Sequence, residues 1–166
     1  MNTLQPERLA FYPMSAKDYL DPLRMLKGKV DQMYFCDVRF VPRSTSDQRA
    51  IAEVVSQEKL PTPSYILGDA LSALKVLRPV DIFFHRRDSS GEGGSGLFLL
   101  GPALLDIVVQ SIKPNGIIVT DLSFVGPWCG QLLRGEKTSQ KIGDRAIVFS
   151  ADQPWLCAGL RSFTVQ

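Results

Sequence analysis

Five apolar segments recur along the chain with helix-like stretches between them, and this alternation limits the folds open to it more than any other feature. The segments read RLAFYP (8–13), QMYFCDV (32–38), PSYILGD (63–69), VDIFFHR (80–86) and GIIVTDL (116–122). Each is apolar almost continuously and not only at every second residue, which is the pattern of a strand covered on both faces. Such strands belong to parallel sheets, and parallel neighbours need crossover connections long enough to hold a helix. The sequence therefore predicts an α/β protein with helices on both faces of a mostly parallel sheet.

The intervening stretches carry helix punctuation. In the first, Asp21 is expected as N-cap with Pro22 at the first helical position, Leu23 and Leu26 facing inward, and Gly28 near the end. In the second, Ser44 and Asp47 stand in a capping-box arrangement ahead of an apolar stripe of Ala50, Ile51, Val54 and Val55. Asp69 is expected to cap a short third helix that carries Leu71 and Leu74 and ends before Pro79. The fourth starts at Pro102, places Leu104, Ile107, Val108 and Ile112 at helical spacing, and is closed by Pro114, Asn115 and Gly116. Beyond GIIVTDL the pattern changes. A glycine- and tryptophan-containing stretch (126–145) leads to RAIVFSA and CAGLRSFTV, expected to form an antiparallel pair at the edge of the sheet.

Composition narrows the function classes. A chain of 166 residues suits one domain, 1–166, with a core that needs neither disulfide nor metal. Its 45% hydrophobic and 22% charged residues are those of a soluble globular protein, and no apolar run approaches the roughly 20 residues of a membrane span. The opening MNTLQPERLAFY has acid, base and proline where a secretory signal would be apolar, so a cytoplasmic location is expected. With a net charge of +2 and bases interspersed among acids, no extended nucleic-acid surface is implied. Cys36, Cys129 and Cys157 match no metal-ligand spacing, and a single histidine excludes a His-rich zinc site.

Five alternating strands followed by a β-hairpin resemble the class I S-adenosylmethionine-dependent methyltransferases, a family with a Rossmann-like, three-layer, seven-stranded sheet whose last strand is antiparallel. MYFCD resembles the family's second strand, which implies that Asp37 holds the ribose hydroxyls of the cofactor. ILGDAL resembles its third-strand motif, which implies that Asp69 and Ala70 lie against the adenine, and SIKPNGIIVTD is similar to its LKPGG turn into strand five. The likeness spans about residues 8–122, and the hairpin extends it to the end. In the family the loop after strand one is glycine-rich, because glycine admits positive φ and close approach of the cofactor. Here that place reads YPMSAKD: against the PGSGxD form that some branches of the family carry, Pro13, Ser15 and Asp18 are kept, while Met14 and Ala16 stand where glycines belong. The resemblance implies S-adenosylmethionine as cofactor, bound weakly or lost, with Tyr12, Ser15, Asp18, Asp37, Asp69 and Ala70 as its binding residues. Asp37 and Asp69 also have a structural reading, as a strand end and a helix N-cap.

The loop after strand four, FFHRRDSSGEGGSGLFLLGP, is the most polar stretch. His85 has a side chain of near-neutral pKa with Asp88 close in sequence, and it is a candidate general base. Arg86 and Arg87 suit an anionic substrate, so His85 and Arg87 are the candidate catalytic residues; the alternative is a strand-ending histidine beside solvated arginines. DSSGEGGSG (88–96) lacks the Lys-Ser/Thr ending of a phosphate loop and reads as a linker or lid. Trp128 and Cys129 suit stacking on a planar substrate and thiol chemistry, or else packing over the core. The late hairpin and LFLL suit a homodimer. Three functions remain open: a small divergent methyltransferase, a non-catalytic methyltransferase-fold module that binds a small molecule or a protein, and another nucleotide-binding α/β protein.

Overall fold

The computed structural model describes residues 7–13, 19–38, 42, 44–85, 102–120, 139–150, 156 and 160–166, with the side chains of 102–104 excepted. The strands are β1 (Leu9–Pro13), β2 (Gln32–Asp37), β3 (Thr62–Leu67), β4 (Val80–His85), β5 (Ile112–Thr120), β6 (Ser139–Ile142), β7 (Arg145–Ser150) and β8 (Arg161–Val165). The helices are α1 (Leu20–Met25), α2 (Thr45–Glu58), α3 (Ala70–Val76) and α4 (Pro102–Gln110). All eight described strands form one sheet in the order β3-β2-β1-β4-β5-β8-β7-β6. The first five are parallel, while β8 runs antiparallel between β5 and β7, and β6 pairs antiparallel with β7.

The alternation of side chains along each strand divides the core into two layers. Leu9, Phe11, Phe83, Ile118, Ile147 and Phe163 face one side, where α3 contributes Ala73 and Leu74 and α4 contributes Leu105, Val108 and Val109. Ala10, Tyr12, Met33, Phe35, Ile82, Phe84 and Val119 face the other, covered by Leu23 and Leu26 from α1 and its end and by half-buried Ile51, Val54 and Val55 of α2. The result is the three-layer, mostly parallel α/β arrangement expected from near-continuous apolar strands.

Several boundaries differ from the sequence reading. The N-cap of α1 is Tyr19, which makes no side-chain cap bond, and Asp21 lies in the first turn. Pro22 sits within that turn too, where its missing N–H leaves no intrahelical bond unmade. The Ser44 hydroxyl accepts the Asp47 N–H at 3.0 Å as expected, although Ala50 is exposed. Helix α4 stops at Gln110, and Ile112 opens β5 instead of closing the helix. Pro114, Asn115 and Gly116 therefore form an irregularity inside the β4–β5 pairing, which steps from Val80↔Ile112 to Ile82↔Ile117. Asn115 takes φ 64° there.

The late strands pair as expected, but β8 is an interior strand. The edge belongs to β6, an eighth strand beyond the expected seven and within the glycine- and tryptophan-containing stretch, where no strand was expected. A two-residue turn, Gly143-Asp144, joins β6 to β7, and Gly143 at φ 60° supplies the positive φ that the tightest hairpins require. Arg145 fastens this hairpin to the end of α4 and the start of β5 by donating to the carbonyls of Val109 and Ile112, both at 2.5 Å. Among the described residues no helix is long and apolar enough to cross a membrane.

Candidate functional site

Strand β1 lies between β2 and β4, so the chain winds outward through β2 and β3 and then returns past β1 to continue through β4 and β5. A reversal of this kind opens a crevice at the carboxyl ends of the central strands, where open α/β sheets bind ligands. The strands end there with Pro13, Asp37, Leu67, His85 and Thr120.

Under the crevice one face of the sheet carries an aromatic row. Tyr12 meets Phe84 with ring centroids 4.9 Å apart and Phe35 at 5.9 Å, both edge-on, and Phe35 stacks on Tyr65 at 6.1 Å. Tyr19, entering α1, sets its ring edge-on against Phe35 at 5.2 Å and Tyr65 at 5.4 Å. Tyr12 is thereby a core residue, 1% exposed. Burial pushes the Tyr19 and Tyr65 hydroxyls up to about 12, with the neighbouring Tyr65 and the negative charge of Asp37 adding to the effect on Tyr19. Both are neutral hydroxyls at ordinary pH.

Asp37 closes β2 on the same face as Phe35 and in register with Leu67. Its side chain is buried at 6% exposure, while its carbonyl accepts the Gly68 N–H at 2.9 Å. Asp69 is exposed and acts as the N-cap of α3, its Oδ2 accepting the Ser72 N–H at 2.8 Å. That backbone bond, reinforced by the Ser72 side chain, holds its carboxyl below the usual carboxylate range. Ala70, the first residue of α3, packs into the core with Ala73 and Leu74. Between them Gly68 borders open space, since a Cβ built there would meet nothing within 4 Å. Leu67 beside it is 51% exposed.

His85 ends β4 in register with Thr120, and its Nδ1 lies 3.4 Å from the Thr120 Oγ1, both residues buried. By strand alternation it shares the face of Phe83, opposite to that of Asp37. The structure thus separates the candidate base from the candidate ribose-binding acid by the thickness of the sheet. Cys36 donates its thiol to the Gly68 carbonyl at 3.4 Å, and burial, then Asp69 and Asp37, pushes it up to about 12, so it stays a protonated thiol. Ser15, Asp18, Arg86, Arg87, Asp88, Trp128 and Cys129 lie outside the described residues. Among the described residues no group of three or more His, Cys, Asp or Glu is placed to hold a metal ion. The sequence reading gave no role to Tyr19, Leu67 or Thr120, although Leu67 lies within ILGDAL and Thr120 within SIKPNGIIVTD.

No protein-family model matches the chain. No curated protein matches it in sequence. In solved structures, a methyltransferase from Geobacter sulfurreducens superposes over 96% of this chain and 71% of its own, with a TM-score of 0.54 and 10% identity. The fold is methyltransferase-like. An rRNA methylase from Streptococcus thermophilus (98% and 88% of the two chains, 11% identity, TM-score 0.49) and a Streptococcus mutans protein in complex with SAH (98% and 89%, 10%, 0.49) also align. In this methyltransferase-like fold the inserted antiparallel β8 is the seventh-strand position of the resemblance, and β6 is an addition to it.

Proposed function

We propose that the chain is a divergent methyltransferase-like protein whose carboxyl-edge crevice takes S-adenosylmethionine or its demethylated product. The observation that carries this reading is the placement of Asp37 at the end of β2 and Asp69 just beyond β3, flanking open ground at Gly68 on the carboxyl edge of the sheet. A carboxylate in that position accepts two hydrogen bonds from a vicinal diol, and Leu67 offers an apolar wall for a purine. The residues present fit the cofactor on its nucleoside side. The cofactor when bound would supply an electrophilic methyl group. The chain's own contribution is to hold the nucleoside, with Asp37 toward the ribose and Asp69 with the backbone of Ala70 toward the base, and to align an acceptor, since methyl transfer depends chiefly on alignment. His85 and Arg87 remain the proposed acceptor-side residues.

A second reading is favoured by the burial of Asp37 and His85, at 6% and 3% exposure. Together with Met14 and Ala16 in the first loop, it makes the chain a methyltransferase-fold binding module without catalysis. Calorimetric titration with S-adenosylmethionine and S-adenosylhomocysteine separates the two, with Asp37→Asn as the control. Micromolar binding that the control loses supports the first reading. Absence of heat at millimolar ligand, from protein whose thermal unfolding is cooperative, leaves the second.

A further inference from the structure

The outer edge of the sheet at β3 is closed along only half its length. The Thr62 N–H donates to the Asp31 carbonyl and the Gly68 N–H to the Asp37 carbonyl, both at 2.9 Å, so the even-numbered residues of β3 turn their amides toward β2. Pro63, Tyr65 and Leu67 therefore turn outward. Pro63 has no N–H and blunts the first half of the edge, as prolines on edge strands do. Tyr65 and Leu67 leave a donor and an acceptor each on the second half, and among the described residues no strand pairs with that side. The side chains there are apolar: Leu67 and Val38 are 51% and 52% exposed, and Tyr65 and Ile66 are half-buried. The opposite edge, β6, reads SQKI and exposes Ser139 and Lys141 in the protective manner of a solvated edge.

We propose that β3 is a homodimer interface, where β3 of a second copy pairs antiparallel about a twofold axis at Ile66 and continues the sheet from one chain into the other. Self-complementarity selects a second copy as the occupant. Two twofold registers engage the outward N–H groups of both Tyr65 and Leu67. Centred on Tyr65, the pairing sets polar Ser64 against Ile66 of the second copy. Centred on Ile66, it gives hydrogen-bonded pairs of Tyr65 with Leu67 on one face and Ile66 with Ile66 on the other, so every opposed pair is apolar. The exposed Leu67 is then covered by an aromatic ring in both halves of the interface. The dimer and the proposed nucleoside site share the exposed Leu67 side chain, so association is measured on protein without cofactor, where failure to dimerise and failure to bind cofactor are read separately.

One strand edge buries less than the roughly 1,200 Å² of a standard stable interface, so the association is weak and reversible. Sedimentation velocity over a wide concentration range is expected to show a monomer that converts to a dimer at high concentration. Leu67→Lys, at an exposed side chain, is expected to weaken it by at least about tenfold, while Val76→Lys, at an 83% exposed residue of α3 off the edge, leaves it unchanged. Ile66→Cys is expected to cross-link two chains under mild oxidation, because directly opposed non-hydrogen-bonded residues bring their Cα atoms to about 4.5 Å, within disulfide reach. Thr62→Cys on the same strand controls for the native thiols and should not cross-link. Thermal unfolding of each variant establishes that it is folded. A monomer at every concentration overturns the proposal, as does a dimer indifferent to Leu67→Lys and not linked by Ile66→Cys. Pairing of β3 with an extended segment of a different protein, with the chain itself monomeric, overturns it as well.

Discussion

Two glycines at opposite ends of the sheet should respond to the same substitution with opposite signs. A Cβ built on Gly116 falls 2.5 Å from the Ile112 Cγ2, 2.8 Å from the Asp81 carbonyl oxygen and 2.9 Å from the Lys113 carbonyl oxygen. Its φ is not in the left-handed region, so the cost of Gly116→Ala is steric. The isoleucine methyl can rotate away, but the two backbone oxygens belong to the β4–β5 irregularity that joins Val80↔Ile112 to Ile82↔Ile117. Overpacking of this kind costs about 1–3 kcal/mol, against a gain of about 0.4–1 kcal/mol from stiffening the unfolded chain. With backbone atoms as the obstacle, a net loss of about 2 kcal/mol is expected, a fall in Tm of about 4–8 °C for a chain of this length. Gly68→Ala meets nothing within 4 Å and should raise stability by about 0.4–1 kcal/mol. Urea and thermal unfolding of both variants read the contrast. A Gly116→Ala protein as stable as the parent would refute the packing described at the start of β5.

Phe35→Ala, at the centre of the aromatic row and fully buried, should cost about 3–5 kcal/mol in urea unfolding. Ser44→Ala, which removes the cap of α2, should cost about 1 kcal/mol, whereas Ser44→Asn, which keeps a side-chain acceptor there, should lose little. Asp69 has a lowered carboxyl pKa in the folded protein, so its contribution is present above the ordinary carboxylate range and lost as pH falls through the folded value. The stability difference between the parent and Asp69→Ala should therefore shrink on acidification, as followed by thermal unfolding at a series of pH values. The buried thiol of Cys36, pushed up to about 12, should resist alkylation at pH 8 in the native protein and react on unfolding, as mapped by mass spectrometry.

The strands were legible because burial on both faces writes itself as continuous apolar runs: β1, β2 and β4 begin and end within one residue of the segments read from sequence. The caps Ser44 and Asp69 were legible for a similar reason, since a side-chain acceptor before a helix has one local task. Where tertiary contacts decided, local reading failed. Pro114, Asn115 and Gly116 look like a helix stop, but Ile112 is drawn into the sheet opposite Val80 and the turn residues are absorbed as an irregularity. The last strand is short and carries no mark of whether it lies at the edge or inside, and its place depends on which strand pairs with β5. Strand β6, SQKI, is too polar to announce itself. At the site, Asp37 and His85 looked alike as polar residues ending apolar strands. Only the pairing register shows that they point to opposite faces, because a shift of one residue reverses a side chain.

The proposal that a nucleoside cofactor lies at the carboxyl edge is tested most directly by titrating the isotopically labelled protein with S-adenosylhomocysteine and following backbone amide resonances. The account predicts shifts concentrated at Asp37, Val38, Gly68, Asp69 and Ala70, with Arg8, Asp31, Asp81 and Lys113 at the amino edge unmoved. Spectra unchanged at millimolar ligand, or shifts gathered at that amino edge, would contradict it.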